Sequence, residues 1–260
     1  MSTIDFSKKS LIFITGASRG IGRAIAIEIT RIVNPKSALV LIASSAKGLQ
    51  ETKSLISEVN NSLNVVTYPL DLSAPSSEVY ENLFDDVLKK TNNSELENAI
   101  FIHNAGTVGI LKKSLDLTDV EEWKRFYDLN IISAIFLNTL FVKKSKNLAK
   151  KLIVINISSL CGIKPFVNMS MYGSVKAARE MFFKVFALEE PEVVILNYCP
   201  GPVDTDMFNS LVHTAQDETL RKSMSEVEPL KPKQTVEKLL GILQKGEFAS
   251  GDTIDYFDRA

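Results

Sequence analysis

A chain of 260 residues can bury a full core, and 45% hydrophobic with 23% charged residues is an ordinary globular composition. Thirty Lys and Arg against 31 Asp and Glu leave a net charge of −1, which excludes the basic footprint of a nucleic-acid or anionic-membrane binder. Two cysteines, Cys161 and Cys199, offer neither a disulfide framework nor metal-ligand spacing; the N-terminus is polar, no apolar run reaches the ~20 residues of a membrane helix, and a cytoplasmic domain is expected.

Ser10 to Thr15 reads as a short apolar strand, followed directly by Gly16-Ala-Ser18-Arg19-Gly20-Ile21-Gly22. An amphipathic helix then runs through Ala24, Ile25, Ile29 and Val33 and stops before Pro35. A glycine loop between strand and helix places free backbone N–H groups and the positive end of the helix dipole where a phosphate can bind. The spacing is Gly-x-x-x-Gly-x-Gly, and the placement, more than the glycines themselves, carries the reading.

Ala38 to Ala43 is the second strand. NAD enzymes carry an acid at its end for the ribose 2′-hydroxyl, whereas this chain has Ala43-Ser44-Ser45, with Arg19 and Lys47 near. A missing carboxylate and two cations favour the 2′-phosphate of NADP; Lys47 taken alone reads equally as the start of a solvated helix. A third strand from Asn64 to Tyr68 leads to Asp71-Leu72 and a helix start between Ser73 and Ser77. A fourth, Asn98 to Ile102, leads to Asn104-Ala105-Gly106, with His103 as a strand-end residue lacking an acid–base partner.

A long helical pattern from Asp119 to Lys146 contains Asn130, a poor helix former, which is either a surface residue or one facing the cleft. Leu152 to Ile157 is the fifth strand and ends at Ser159. Tyr172 and Lys176 follow at i, i+4 spacing, on one face of a helix. A lysine beside a phenol is expected to lower the tyrosine pKa toward neutrality, as proton transfer to a carbonyl requires. Taken alone, Tyr-x-x-x-Lys is common and says little. Glu192 to Tyr198 is the sixth strand, before Pro200-Gly201-Pro202. Residues 203–232 are polar and weakly periodic, as a lid would be; a helix near Thr235 to Gln244 and a strand near Ser250 to Tyr256 close the chain. Strands alternating with helices predict an α/β fold, a single doubly wound parallel sheet of about seven strands spanning 1–260, with the strand-end loops along one edge.

In these residues the chain resembles the short-chain dehydrogenase/reductase family over nearly its whole length. Thr15 to Gly22, Asn104-Ala-Gly106, Asn130, Ser159, Tyr172-x-x-x-Lys176 and Pro200-Gly201 match its motifs in order and spacing. The resemblance implies a Rossmann-type fold that binds NADP(H) and a dimer built through the Asn130 and Tyr172 helices. It makes Ser159, Tyr172 and Lys176 catalytic, with Asn130 holding a water relay. Gly16, Ser18, Arg19, Gly20, Ile21, Gly22, Ser44, Ser45, Asp71, Leu72, Asn104, Ala105, Gly106, Pro200, Val203, Thr205 and Met207 are its implied cofactor contacts, along with Tyr172 and Lys176.

Further matches, among them Asn156-Ile-Ser-Ser-Leu-Cys161, Glu189-Glu-Pro191, Pro200-Gly-Pro-Val-Asp-Thr-Asp-Met207 and Ser250 to Asp258, are similar to a pterin-reducing branch of that family. They imply a small-molecule pterin substrate bound by Ser159, Tyr172, Gly201 and Asp255. Ser44 departs from that branch, which often has arginine there, and leaves Arg19 as the main candidate for the 2′-phosphate. A broader carbonyl or dicarbonyl reductase, in which Asp255 is incidental, and a non-catalytic NADP-binding regulator are the alternative readings.

Overall fold

The computed structural model describes residues 3–214, 221–222 and 225–258. Seven strands, β1 (Ser10–Thr15), β2 (Ala38–Ala43), β3 (Asn64–Pro69), β4 (Leu96–His103), β5 (Ala149–Ile157), β6 (Val193–Cys199) and β7 (Thr253–Asp255), form one sheet in the order β3-β2-β1-β4-β5-β6-β7. Every neighbouring pair is parallel. A parallel sheet needs cover on both faces, which is why its central strands are apolar throughout instead of alternating. In β1, Ile12 and Ile14 face one side with α1 (Gly20–Ile32), while Leu11 and Phe13 face the other with α3 (Ser77–Lys90). The first layer also takes Leu49 and Ile56 of α2 (Ala46–Val59) and Val236, Leu239 and Leu243 of the helix Pro232–Lys245.

The long pattern expected from Asp119 to Lys146 is not one α-helix. It is α4 (Val120–Tyr127), a π-helical turn (Asp128–Ile132) and α5 (Ser133–Ser145). Asn130 sits at the centre of that turn, fully buried, with Oδ1 accepting from Thr107 N at 3.1 Å and Nδ2 donating to Phe126 O at 2.9 Å. Competition by this side chain for backbone partners accounts for the break in the ladder. Charged residues stand at both ends of Val120–Ser145, and between them one 18-residue window is apolar enough by composition for a membrane span. Half of it is buried in the fold, where Leu137, Phe141 and Val142 join the second core layer.

Two helices then complete the site's surroundings: the long α6 (Ser170–Glu189), after β5, and the short α7 (Asp206–Thr214), after β6. The helix Pro232–Lys245, α8, begins with proline at its first turn and ends at Gly246 in the left-handed region. Within 203–232, Val203 pairs with Leu230; the expected lid otherwise falls partly on 215–220 and 223–224, outside the described residues.

Candidate active site

The carboxyl ends of β1, β2, β3 and β4 open onto a cleft of about 1120 Å³, walled on its far side by the start of α7 and by Lys231 to Lys233. Gly16, Ser18, Arg19, Gly20 and Ile21 line it, with Ala43 and Ser44, Asp71 and Leu72, Asn104 to Gly109, and Asp204 to Met207. The glycine loop is shaped by contact. A Cβ on Gly22 would stand 2.3 Å from Gly16 O, and one on Gly16, at φ 68, 2.7 Å from Asn104 Nδ2. Asn104 fastens the loop: its Nδ2 donates to Thr15 O at 2.9 Å, and its backbone N donates to Thr15 Oγ1 at 3.0 Å. The first turn of α1 therefore faces the cleft with unpaired N–H groups and no acidic side chain. That donor set suits a pyrophosphate.

Ser45 does not line the cleft. Its hydroxyl caps α2 by accepting from Gly48 N at 3.1 Å. Lys47 is exposed within α2 and is likewise outside the lining. Arg19 is at the rim, but its Nη1 is 2.7 Å from Asp206 Oδ2, an exposed ion pair joining the glycine loop to α7. Lys231 and Asp204 form a second such pair at 2.9 Å. Neither partner was identifiable from the sequence, since 187 residues separate Arg19 from Asp206.

Ser159, Tyr172 and Lys176 come together at the end of β5 and the start of α6. Ser159 caps a short 3₁₀ turn, its Oγ accepting from Cys161 N at 3.2 Å, and it also faces the buried Tyr172 phenol. Lys176 is 4% exposed; its Nζ donates to Ile157 O at 2.8 Å and lies 5.5 Å from the Tyr172 ring centroid. The expected depression of the phenol pKa is not found. Burial pushes Tyr172 well above the usual tyrosine value, outweighing Ser159 and Arg179, which act downward. Lys176 is only partly charged at neutral pH, because burial first and Arg179 second bring its own pKa down to about 7.

Pro200 is not part of the cleft wall; its carbonyl accepts from Thr235 Oγ1 at 2.9 Å. Val203 is buried beside Leu230, whereas Thr205 and Met207 line the cleft. Gly201, at φ 72, lies against Phe257 and Tyr256, so its loop and the end of β7 share one edge. Asp255 ends β7 opposite Cys199, with Oδ1 accepting from Phe257 N at 3.0 Å. It is outside the large cleft. His103 is buried and stacked on Phe101 at 4.0 Å, held neutral by burial with a pKa well below its usual value. The sequence reading missed Arg179, which on α6 reads as an ordinary charged helix residue, and Thr107 to Gly109, which carry no motif.

The short chain dehydrogenase family model matches residues 10–216. The chain is 36% identical over 258 residues to the sepiapterin reductase of Bos taurus, covering 96% of this chain and 95% of that protein. It is 28% identical over 252 residues to a benzil reductase ((S)-benzoin forming) of Bacillus cereus, over 94% of this chain and 97% of that one. The solved structure of the KRED1-Pglu enzyme aligns with a TM-score of 0.79 at 25% identity, over 95% of this chain and 100% of that chain.

Proposed function

The chain belongs to the short-chain dehydrogenase/reductase family and is an oxidoreductase of carbonyl and CH–OH groups, and on that premise we propose that it reduces side-chain ketones of pterins, sepiapterin among them, with NADPH. The observation that carries the chemistry is the buried Tyr172 phenol between Ser159 and Lys176. The pterin part is supported by the 36% identity to a sepiapterin reductase over nearly the full length of both chains.

In this reading Gly16 to Gly22 and the start of α1 hold the pyrophosphate, Asp71 and Leu72 flank the adenine, and Asn104 to Gly106 back the ribose. Bound there, NADPH supplies the hydride. The protein positions the ketone and moves the proton. With its pKa raised by burial, Tyr172 carries its proton at neutral pH and donates it to the carbonyl oxygen. Ser159 orients that oxygen, and Asn130, wedged in the π turn, keeps the Thr107 wall in register. Lys176 can pass a proton near neutrality, its pKa standing at about 7. Arg19 takes the 2′-phosphate by exchanging Asp206 for it, with Ser44 beside it.

Gly201 and Asp255 bound the substrate end, and Asp255 accepts the paired N–H donors of a pterin ring. We read 1–260 as one catalytic domain, with 203–232 as its substrate lid. The exposed Phe136 on α5 and Met181, Val185 and Leu188 on α6 support a homodimer through these helices.

A broader dicarbonyl reductase is the second reading, favoured by the commitment of Asp255 Oδ1 to Phe257 N and by the similarity to a benzil reductase. NADPH consumption with sepiapterin and with a small diketone, for the parent and Asp255→Ala, separates the two. The pterin reading expects kcat/KM on sepiapterin to fall by roughly ten- to a hundredfold, as loss of hydrogen bonds to a charged partner implies, with the diketone little changed. Unchanged sepiapterin reduction in the variant would leave the dicarbonyl reading.

A further inference from the structure

The floor of the site contains a cation that the proposed mechanism does not use. Arg179 is 1% exposed, one turn beyond Lys176 on the same helix. Its Nε and Nη2 donate to Asn156 Oδ1 at 3.1 and 2.8 Å, Nη2 also to His103 O at 2.9 Å, and Nη1 to Ala105 O at 3.0 Å. The guanidinium thus joins α6 to the ends of β4 and β5, at the backbone that precedes and follows Asn104. All its acceptors are neutral.

Burying one cation without a carboxylate is unfavourable, and burying two side by side is more so. No acid relieves the pair among the described residues. Glu180, next along α6, is turned to Ser158 Oγ, Thr253 Oγ1 and Lys184 Nζ. From the other packed elements, Cys161 and Cys199 are thiols that burial keeps protonated, and the His103 ring is neutral. The acceptors at His103 O, Ala105 O and Asn156 Oδ1 call for donors, and a neutral amide can supply donors without burying a charge.

We propose that Arg179 is a positioning residue of the reaction: it locks the helix face bearing Tyr172 and Lys176 to the Asn104–Gly106 wall, and its fixed charge behind that pair sets the pH range of proton transfer. The inference rests on Tyr172 being the proton donor of the proposed function. The guanidinium acts downward on the pKa of both Tyr172 and Lys176, so removing it raises both. Seven residues of helix separate the two backbone positions by about 10 Å along the axis, and at an effective dielectric of about 20 one charge at that separation is worth ~1 pH unit.

The test is the pH dependence of kcat in both directions, ketone reduction and alcohol oxidation, for the parent, Arg179→Met, Arg179→Lys and Tyr172→Phe, each checked for folding by circular dichroism. Arg179→Met should move the limbs set by Lys176, the alkaline limb of reduction and the acid limb of oxidation, upward by ~1 pH unit from their parent position near pH 7. Arg179→Lys keeps the charge but loses the fork, so its limbs should stay within ~0.3 unit of the parent while KM for the cofactor rises severalfold. Should Arg179→Met fail to fold, the lysine variant decides: limbs in place with a raised cofactor KM support the proposal, and a KM equal to the parent's, or displaced limbs, overturns it. Limbs of Arg179→Met coinciding with the parent's, with Tyr172→Phe inactive, overturn the role of Arg179 alone. A Tyr172→Phe variant as active as the parent overturns the proton-donor reading and this inference with it.

Discussion

Lys176 should make the empty enzyme more stable as the pH rises above neutrality, and Lys176→Met should abolish that gain. In the unfolded chain the ammonium has its ordinary pKa near 10.5; in the fold it is brought down to about 7, by burial first and by Arg179 second. Between those two values the unfolded state binds more protons than the native state, so stability increases with pH and falls again as pH drops toward 7. From pH 7 to pH 8.5 the unfolded lysine stays charged while the folded one goes from half to almost fully neutral. Integrating that difference gives about 1–2 kcal/mol. Cys161 and Cys199 act with the opposite sign above their ordinary thiol range, because burial holds both up and unfolding releases their protons. The difference between parent and variant cancels them. Urea unfolding at the two pH values without cofactor measures it. The parent should gain stability relative to Lys176→Met by about 1–2 kcal/mol over this interval, and parallel behaviour of the two proteins would refute the argument.

Tyr172→Phe should retain cofactor binding, since the glycine loop is untouched, and lose ~10²–10⁴ in turnover, measured by stopped-flow NADPH oxidation. Arg19→Ala should weaken NADPH binding by roughly ten- to a hundredfold and leave NADH binding nearly unchanged, whereas Asp206→Asn, which frees Arg19 from an exposed ion pair, should tighten NADPH binding by no more than ~5-fold; calorimetric titration with both nucleotides checks the pair. Gly22→Ala would drive a Cβ to 2.3 Å from Gly16 O, so the loop must shift; a thermal melt should show a loss of about 1–3 kcal/mol, and cofactor affinity should fall with it.

The parallel sheet was legible because its central strands are unbroken apolar runs between loops, and burial of both faces leaves no other use for them. The glycine loop, Asn104 and the Ser159–Tyr172–Lys176 set were legible by their order along those loops. The break at Asn130 was not, since the apolar pattern of Asp119 to Lys146 fits a continuous helix; only the three-dimensional bond to Thr107 N favours the π turn. The cap that Ser45 places on α2 was not legible either, because a serine after a strand shows neither a cap nor a ligand contact by itself. The pKa order of Tyr172 and Lys176 was inverted for a related reason. Spacing shows that two groups are near each other, and it says nothing of how much water has been removed from both.

That omission connects the stability of this fold to its chemistry. Lys176 and Arg179 are the only cations among the described residues that are more than nine-tenths buried, and their nitrogens bond only to carbonyl and amide oxygens. A core selected for stability alone would pair such charges or replace them by apolar side chains of similar volume. At Glu180 the same helix does satisfy a buried charge, with Lys184, Ser158 and Thr253 around it. The neighbouring absence of a counter-ion is therefore not a failure of what α6 can supply. A carboxylate placed beside Lys176 would hold its proton more tightly and offset the charge that Tyr172 meets when it releases its own. On the proposed proton-donor role of Tyr172, the lack of a carboxylate here keeps Lys176 able to release its proton near neutrality, at a cost in stability that the pH dependence of unfolding measures.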